Sequence, residues 1–299
     1  MVEGGGASPD VREHETGDPL ASLAAAAVAQ SSHENFPVAL RLLPATARDS
    51  LLRVYTYARF VDDVGDDAPG DRLALLDLVE ADVRRLDDSV PGEANLAPVA
   101  GLGPVVRDTG CGLDPLLALI EANRVDQKVT RYATFDDLLG YCALSAAPVG
   151  RLVLAIAGVH DEQAQRWSDE VCAALQVLEH CQDVGEDGRA GRIYLPTTDL
   201  AAHGAADADV LAITTSWPLR RTIATQVDRS RALLAAGPPL VARLSGWARI
   251  AVAGYIAGGL ATADQLEGIV YDVLVAPTSP SKARTAALAL RLALRRRRA

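Results

Sequence analysis

The sequence predicts an all-α chain, and three observations carry that expectation. Ala and Leu dominate a composition that is 49% hydrophobic, and both are strong helix formers. No stretch alternates apolar and polar residues with period two over a strand's length. Turn chemistry punctuates long segments of helical character instead. After a Gly- and Pro-containing lead over residues 1–18, expected to be disordered, helices are expected over 20–30 and 46–67, the second closed by Pro69-Gly70. A helix over 71–88 runs to the Pro91–Pro104 segment, and one over 113–129 follows it. Thr134 can cap a helix over 134–158 whose first turn carries Asp136 and Asp137, suited to the positive end of the helix dipole, and Gly158 stops it. The next, 161–187, meets a break from Gly188 to Gly204. Helices over 208–235 and 239–272 flank Gly237-Pro238-Pro239, and a last one covers 282–297.

At 299 residues the chain is long enough for a sizeable core. No shift in composition divides it, so one all-α domain is expected over 19–281, followed by a basic helix or tail over 282–299. No run of eighteen apolar residues appears, which argues against a transmembrane span. The N-terminus lacks the basic and apolar regions of a secretory signal. A net charge of −10 argues against nucleic-acid binding, which rests on Lys and Arg contacts to phosphate. Cys111, Cys142, Cys172 and Cys181 show no C-x-x-C spacing, and the five His residues are scattered, so neither disulfides nor zinc are expected. A reduced, cytoplasmic protein is the simplest reading.

Chemistry concentrates in Tyr57–Asp67, where Asp62, Asp63, Asp66 and Asp67 crowd the end of an otherwise apolar helix. The string Asp63-Val64-Gly65-Asp66-Asp67 returns 120 residues later as Asp183-Val184-Gly185-Glu186-Asp187, again after an apolar helical stretch. Residues three and four apart share a helix face, so Asp62 and Asp66 form one carboxylate pair and Asp183, Glu186 and Asp187 a second cluster. Like charges so placed destabilise a helix by roughly 0.2–0.5 kcal/mol per pair, so something positive should compensate. Few hard oxygen ligands with room for water and phosphate suit Mg²⁺, and Mg²⁺ ions held between two acidic walls would hold a diphosphate. The competing reading of either string alone is a solvated acidic face. The repetition and the apolar lead-ins weigh against it.

These residues carry a family resemblance. The two strings resemble the paired aspartate-rich motifs of the squalene and phytoene synthase family, with Asp62, Asp63 and Asp66 in the first and Asp183, Glu186 and Asp187 in the second. Glu34-Asn35-Phe36-Pro37-Val38-Ala39 through Leu43-Pro44, Arg131–Leu139, Tyr141-Cys142, Pro148-Val149-Gly150 and Gly191–Pro196 are similar to the hydroxysqualene synthase branch in particular, in the family's order from about residue 33 to about residue 275. The resemblance implies an isoprenoid synthase fold, helices around a central cavity, and an isoprenoid diphosphate substrate. It places Tyr141 in the cavity, where its hydroxyl could assist the departing diphosphate, and Arg59 on the diphosphate. The alternative for Arg59 is a surface ion pair with Asp62 or Asp63. Arg189 and Arg192, among Gly188 and Gly191, could close over the leaving group as a lid. Ser145, Ala146 and Ala147 would leave room for a bulky apolar substrate, or equally serve close helix packing.

Three departures bear on the product. Gln182 stands where squalene and phytoene synthases usually place Arg, as in the hydroxysqualene branch. Ala147 replaces a common Asn, and Cys181 a larger residue, which together suggest a widened pocket. The expected reaction is Mg²⁺-dependent ionisation of a farnesyl-derived diphosphate and capture of the carbocation. Conversion of presqualene diphosphate to hydroxysqualene ranks first, and farnesyl transfer to an aromatic acceptor, such as an indole or tryptophan-containing cyclic dipeptide, ranks second. A silent scaffold would need neither acidic cluster, and a lipid carrier would need the cavity without the metal. The Lys282–Arg298 segment carries seven basic and no acidic residues, so peripheral contact with an anionic membrane through this tail is a further expectation.

Overall fold

A 21-residue helix, α9 (Glu162–Gln182), is the axis on which the other elements stack. The computed structural model describes residues 18–33, 43–87, 89–90, 92–276 and 278–294. Most of the N-terminal lead, the Glu34–Ala39 motif and the terminal arginines of the tail lie outside the described residues. In chain order the helices are α1 (Pro19–His33), α2 (Ala45–Asp66), α3 (Arg72–Arg84), α4 (Ala97–Ala100), α5 (Gly103–Thr109), α6 (Asp114–Asp126), α7 (Phe135–Ser145) and α8 (Ala147–Ile156). After α9 come α10 (Val184–Arg189), α11 (Thr197–His203), α12 (Asp207–Val210), α13 (Trp217–Leu233), α14 (Gly237–Arg243), α15 (Gly246–Gly268) and α16 (Lys282–Leu294). The described residues contain no strand, only a parallel bridge between Arg131 and Ile193. The chain is all-α, as its composition and periodicity predict.

Two apolar cores meet across the middle of the molecule. One joins α1, α2, α3 and α6 through Tyr57, Phe60, Val61, Leu76, Leu116 and Ile120. The other gathers α7, α9, α13 and α15 around Leu138, Val177, Leu178, Ile223 and Ile256. Full burial of such side chains is worth about 1.5–3 kcal/mol each, which holds both halves rigid around whatever lies between them.

Several expected helices are divided, each for a readable reason. The segment over 134–158 breaks at Ala146 (φ −110°, ψ −45°), because Pro148 enters as the second residue of α8 and has no N–H for the preceding turn. The break also splits a segment, Phe135–Ile156, that is long and apolar enough to cross a membrane but is half buried inside the fold. The helix over 161–187 breaks at Asp183 (φ −98°, ψ 12°), which ends α9 and opens α10. The one over 208–235 starts properly only where Ser216 accepts a hydrogen bond from the Leu219 amide, 3.3 Å away. Gly237-Pro238-Pro239 opens α14 rather than interrupting the chain, since proline suits a first turn. In the tail, α16 lies against α15, with Leu292 buried and the Ala293 carbonyl accepting from Arg249 Nε at 2.8 Å. Part of the tail expected to meet a membrane is thereby used within the fold.

Candidate active site

The first acidic string ends α2, an unbroken helix. Tyr57, Phe60, Val61 and Val64 face the core, so the helical period turns Asp62 and Asp66 towards the space between the two cores. Asp63 points elsewhere and pairs with Arg59 (Nε to Oδ1, 2.9 Å). Gly65 is what brings α6 close. A Cβ there would fall 2.0 Å from Asn123 Oδ1. The approach lets Asn123 Nδ2 donate to Asp62 Oδ1 at 3.1 Å and to the Leu119 carbonyl at 3.2 Å. Gln127 Nε2 donates to the Gly65 carbonyl at 2.9 Å. Asp62 opens onto a cavity yet has protein on most sides. Burial pushes its carboxyl up to about 6 against the opposing Asn123 bond, and Asp66 and Asp63 add to the rise.

The facing wall is the C-terminal end of α9. Gln176, Glu179, His180 and Asp183 lie on one face at helical spacing. The break at Asp183 then swings α10 so that Asp187 joins them, its amide still donating to the Asp183 carbonyl at 2.8 Å. Burial raises the Asp183 carboxyl, with Asp187, Glu179 and Glu186 adding to it. Compensation is slight here: His180 Nδ1 lies 3.6 Å from Asp187 Oδ2. Glu186 is exposed and lines no part of this cavity.

Asp126 joins the two walls. It accepts from the Tyr141 hydroxyl at 2.6 Å and the Tyr194 hydroxyl at 3.1 Å. Burial raises its carboxyl, and the two hydroxyls oppose the shift. His180 stacks on Tyr194 with ring centroids 3.7 Å apart. The segment holding Tyr194 is tied down by the Arg131 bridge, with the Ile193 amide donating to the Thr130 carbonyl at 3.0 Å. Arg192 on the same segment reaches back to Asp66 (2.7 Å). Gly188, expected as a hinge, lies inside α10, where a Cβ would meet Val210 Cγ1 at 2.6 Å. Its lack of a side chain serves packing rather than movement.

These groups line a polar cavity of about 290 Å³. Ser145, Gln176 and Glu179 also line a second cavity of about 290 Å³, whose remaining walls are mostly apolar, with Val149, Leu154, Val171, Leu240 and Val252 among them. The two spaces therefore adjoin, charged at one end and greasy at the other. Of the residues expected from the sequence, Asp62, Asp66, Tyr141, Asp183, Asp187 and Arg192 gather here. Arg59, Asp63, Glu186, Arg189, Gln182 and Ala147 line neither cavity. Arg59 makes the ion pair with Asp63, and Gln182 Nε2 donates to the Thr278 carbonyl at 3.0 Å. Ala147 and Cys181 are buried in helix packing, so neither widens a cavity wall. Asn123, Asp126, Gln176, Glu179, His180 and Tyr194 were not foreseen. The period from Gln176 to Asp183 could have found three of them; no local signal marks the others.

The donor set suits a hard cation. Carboxylate oxygens from α2, α9 and α10 face one space, and the Asp62 and Asp183 carboxyls are raised chiefly by burial and further by the carboxylates beside them. Among the described residues no three acidic or histidine side chains cage an ion alone. A divalent cation such as Mg²⁺ would therefore need water and substrate phosphate oxygens to complete its shell here.

In sequence and in fold the chain resembles known proteins. The squalene/phytoene synthase family profile matches residues 29–297. The chain is 40% identical over 225 residues to hydroxysqualene synthase of Zymomonas mobilis, covering 71% of each chain. It is 34% identical over 222 residues to hydroxysqualene synthase of Sinorhizobium fredii, covering 72% of this chain and 73% of that one. The crystal structure of squalene synthase HpnC from Alicyclobacillus acidocaldarius superposes with a TM-score of 0.76 at 38% identity, over 85% of this chain and 96% of the other. A dehydrosqualene synthase solved with a ligand shares the fold at a TM-score of 0.76 and 21% identity, over 92% of this chain and 98% of the other.

Proposed function

The chain belongs to the squalene/phytoene synthase family of prenyltransferases, and from that premise we propose that it ionises presqualene diphosphate and captures the resulting cation with water to give hydroxysqualene. The single observation that carries the proposal is the join between the carboxylate-lined cavity and the apolar one at Ser145, Gln176 and Glu179. A molecule with a diphosphate head and a long hydrocarbon body has that polarity. Relatives at 34–40% identity bear the name hydroxysqualene synthase, which supports the choice of substrate.

Asp62, Asp66, Asp183 and Asp187 would hold magnesium, whose positive charge would favour departure of the diphosphate. The rest falls to the chain's own groups. Arg192, fixed by Asp66, presents its remaining N–H groups at the cavity edge for phosphate oxygens. Asp126 orients the Tyr141 hydroxyl beside the same space. The C–O bond breaks with its electron pair leaving on the diphosphate, and the apolar walls keep bulk water from the cation. The cyclopropylcarbinyl cation rearranges with breakage of a ring C–C bond, a new C–O bond then forms from one water to the rearranged C30 cation, and that water loses a proton. No protein nucleophile is required.

Farnesyl transfer to an aromatic acceptor begins with the same ionisation. The two residues that spoke for it in the sequence, Ala147 and Cys181, line neither cavity, which ranks it second. Mass spectrometry tests the choice: presqualene diphosphate with Mg²⁺ is expected to yield a C30 alcohol and inorganic diphosphate, and chelator to suppress both. A farnesylated acceptor from farnesyl diphosphate, with no C30 product, overturns the ranking.

A further inference from the structure

Asp126, at the C-terminal end of α6, stands between two phenols. The Tyr141 hydroxyl donates to its Oδ2 at 2.6 Å and the Tyr194 hydroxyl to its Oδ1 at 3.1 Å. One hydroxyl on each oxygen suits an ionised carboxylate, which accepts and does not donate. Burial raises both phenols above the ordinary tyrosine range, so each keeps its proton. A phenol has only one proton to give, and here both are committed to Asp126. What each hydroxyl has left for the cavity is its lone pairs.

The arrangement is held from several sides. Tyr141 and Tyr194 are buried, with ring centroids 5.5 Å apart, and His180 stacks on Tyr194. The Ile193 amide bond to the Thr130 carbonyl fixes the backbone beside Tyr194. Hydrogen bonds to an ionised carboxylate are among the short, strong ones, so the hydroxyls are not free to turn away.

This polarity decides what Tyr141 can do. To assist a departing diphosphate, a hydroxyl must donate to a phosphate oxygen, and lone pairs facing that oxygen repel it. Arg192, which lines the same cavity, is the better placed donor for phosphate. Tyr141 also lies one turn before Ser145 on α7, where the polar and apolar cavities join. With a diphosphate head in the polar space and a hydrocarbon chain in the apolar one, the reacting carbon lies at that join.

We propose that Asp126 is a positioning residue that makes Tyr141 an acceptor for the water capturing the cation, not a donor to the leaving group. The proposal deepens the reaction given above and rests on it. The water donates one O–H to Tyr141 Oη, which aims its electron pair at the rearranged C30 cation. As the C–O bond forms, a proton moves from that water to Oη and the phenol's own proton moves to Asp126, leaving a neutral alcohol and a neutral carboxylic acid. Without the acceptor, the cation loses a proton from carbon to the released diphosphate and ends as a C30 hydrocarbon.

Two measurements on the full chain test it. Calorimetric binding of inorganic diphosphate with Mg²⁺ should weaken at least about fivefold in Arg192→Gln and stay within about twofold of the parent in Tyr141→Phe. With presqualene diphosphate, mass spectrometry should show the ratio of C30 alcohol to C30 hydrocarbon falling at least about fivefold in both Asp126→Asn and Tyr141→Phe. A purely structural role for Asp126 would lower stability or rate and leave that ratio where it is. Circular dichroism melting shows which variants fold, and Tyr141→Phe carries the ratio if Asp126→Asn does not. Diphosphate affinity lost as far in Tyr141→Phe as in Arg192→Gln overturns the proposal, and so does an unchanged ratio in the folded variants. A parent that yields no C30 product overturns the proposed reaction instead, and the order of diphosphate affinities then decides whether Tyr141 donates or accepts.

Discussion

Asp62 and Asp66 project from an unbroken α2, whereas Asp183 sits at the break between α9 and α10 that carries Asp187 round to the same cavity. The two strings are near copies, yet their surroundings differ in charge. The first wall has two arginines, Arg59 on Asp63 and Arg192 on Asp66. For the second, the described residues offer only His180, 3.6 Å from Asp187. The glycines differ too: Gly65 seats the polar Asn123 that orients Asp62, and Gly185 seats the flexible end of Leu274. Repetition of a motif therefore says little about how charge is balanced around each copy. Among the described residues the second wall has the fewer cationic partners.

The largest expected effect separates residues inside the cavity from those outside it. Asp62→Asn and Asp183→Asn should each lower the rate of diphosphate release by about 10²–10³-fold, the scale for losing one electrostatic partner at a reacting centre. Glu186→Gln, at an exposed position within the same string, should cost less than about tenfold. If Glu186→Gln matched Asp183→Asn, the orientation assigned to the second wall would be wrong.

The glycines give the next contrast, read by chemical denaturation. An added methyl at Gly65 meets a bonded amide oxygen, so overpacking of about 1–3 kcal/mol should outweigh the gain of about 1 kcal/mol in helix propensity. Gly185→Ala should be nearly neutral, because the Leu274 methyl can turn aside. Equal midpoints for the two variants would remove Asn123 from its assigned role.

A pH series sharpens the charge imbalance. In the metal-free protein Asp62 titrates at about 6 against an ordinary value near 4. Across that window the folded chain keeps a proton the unfolded chain has released, so this carboxyl's contribution to stability is largest below about pH 4 and falls as pH rises to about 6. Screening by cavity water reduces the change to about 1 kcal/mol. Asp62→Asn should flatten that slope, which thermal melting at pH 5 and pH 7 would reveal; an unaltered slope would refute the assignment.

The smallest effect concerns the arginines. Arg59→Gln breaks a half-exposed pair and should shift stability by less than about 1 kcal/mol. Arg192→Gln, which unties α2 from the segment after α10, should raise the substrate KM more than Arg59→Gln does, and steady-state kinetics would show whether that order holds.

The helical class, the two acidic strings and the family were legible because each is local: propensity, period and short motifs survive without a tertiary frame. Asp62, Asp66 and Asp183 could be placed because helix geometry alone orders their faces. Breaks at Ala146 and Asp183 were missed; the first follows from Pro148, whereas Asp183 has no such marker.

By itself the sequence determined that this is an all-α prenyltransferase-family chain with two carboxylate strings, since those properties reside in runs of a few to twenty residues. Only the tertiary structure decided that Asp63 turns to Arg59, that Asn123 and Asp126 enter the cavity, and that Arg192 reaches Asp66. It also decided that Ala147 and Cys181 stay outside. Each of these depends on which helices touch and how closely, set here by glycines such as Gly65 that permit an approach no single segment can encode.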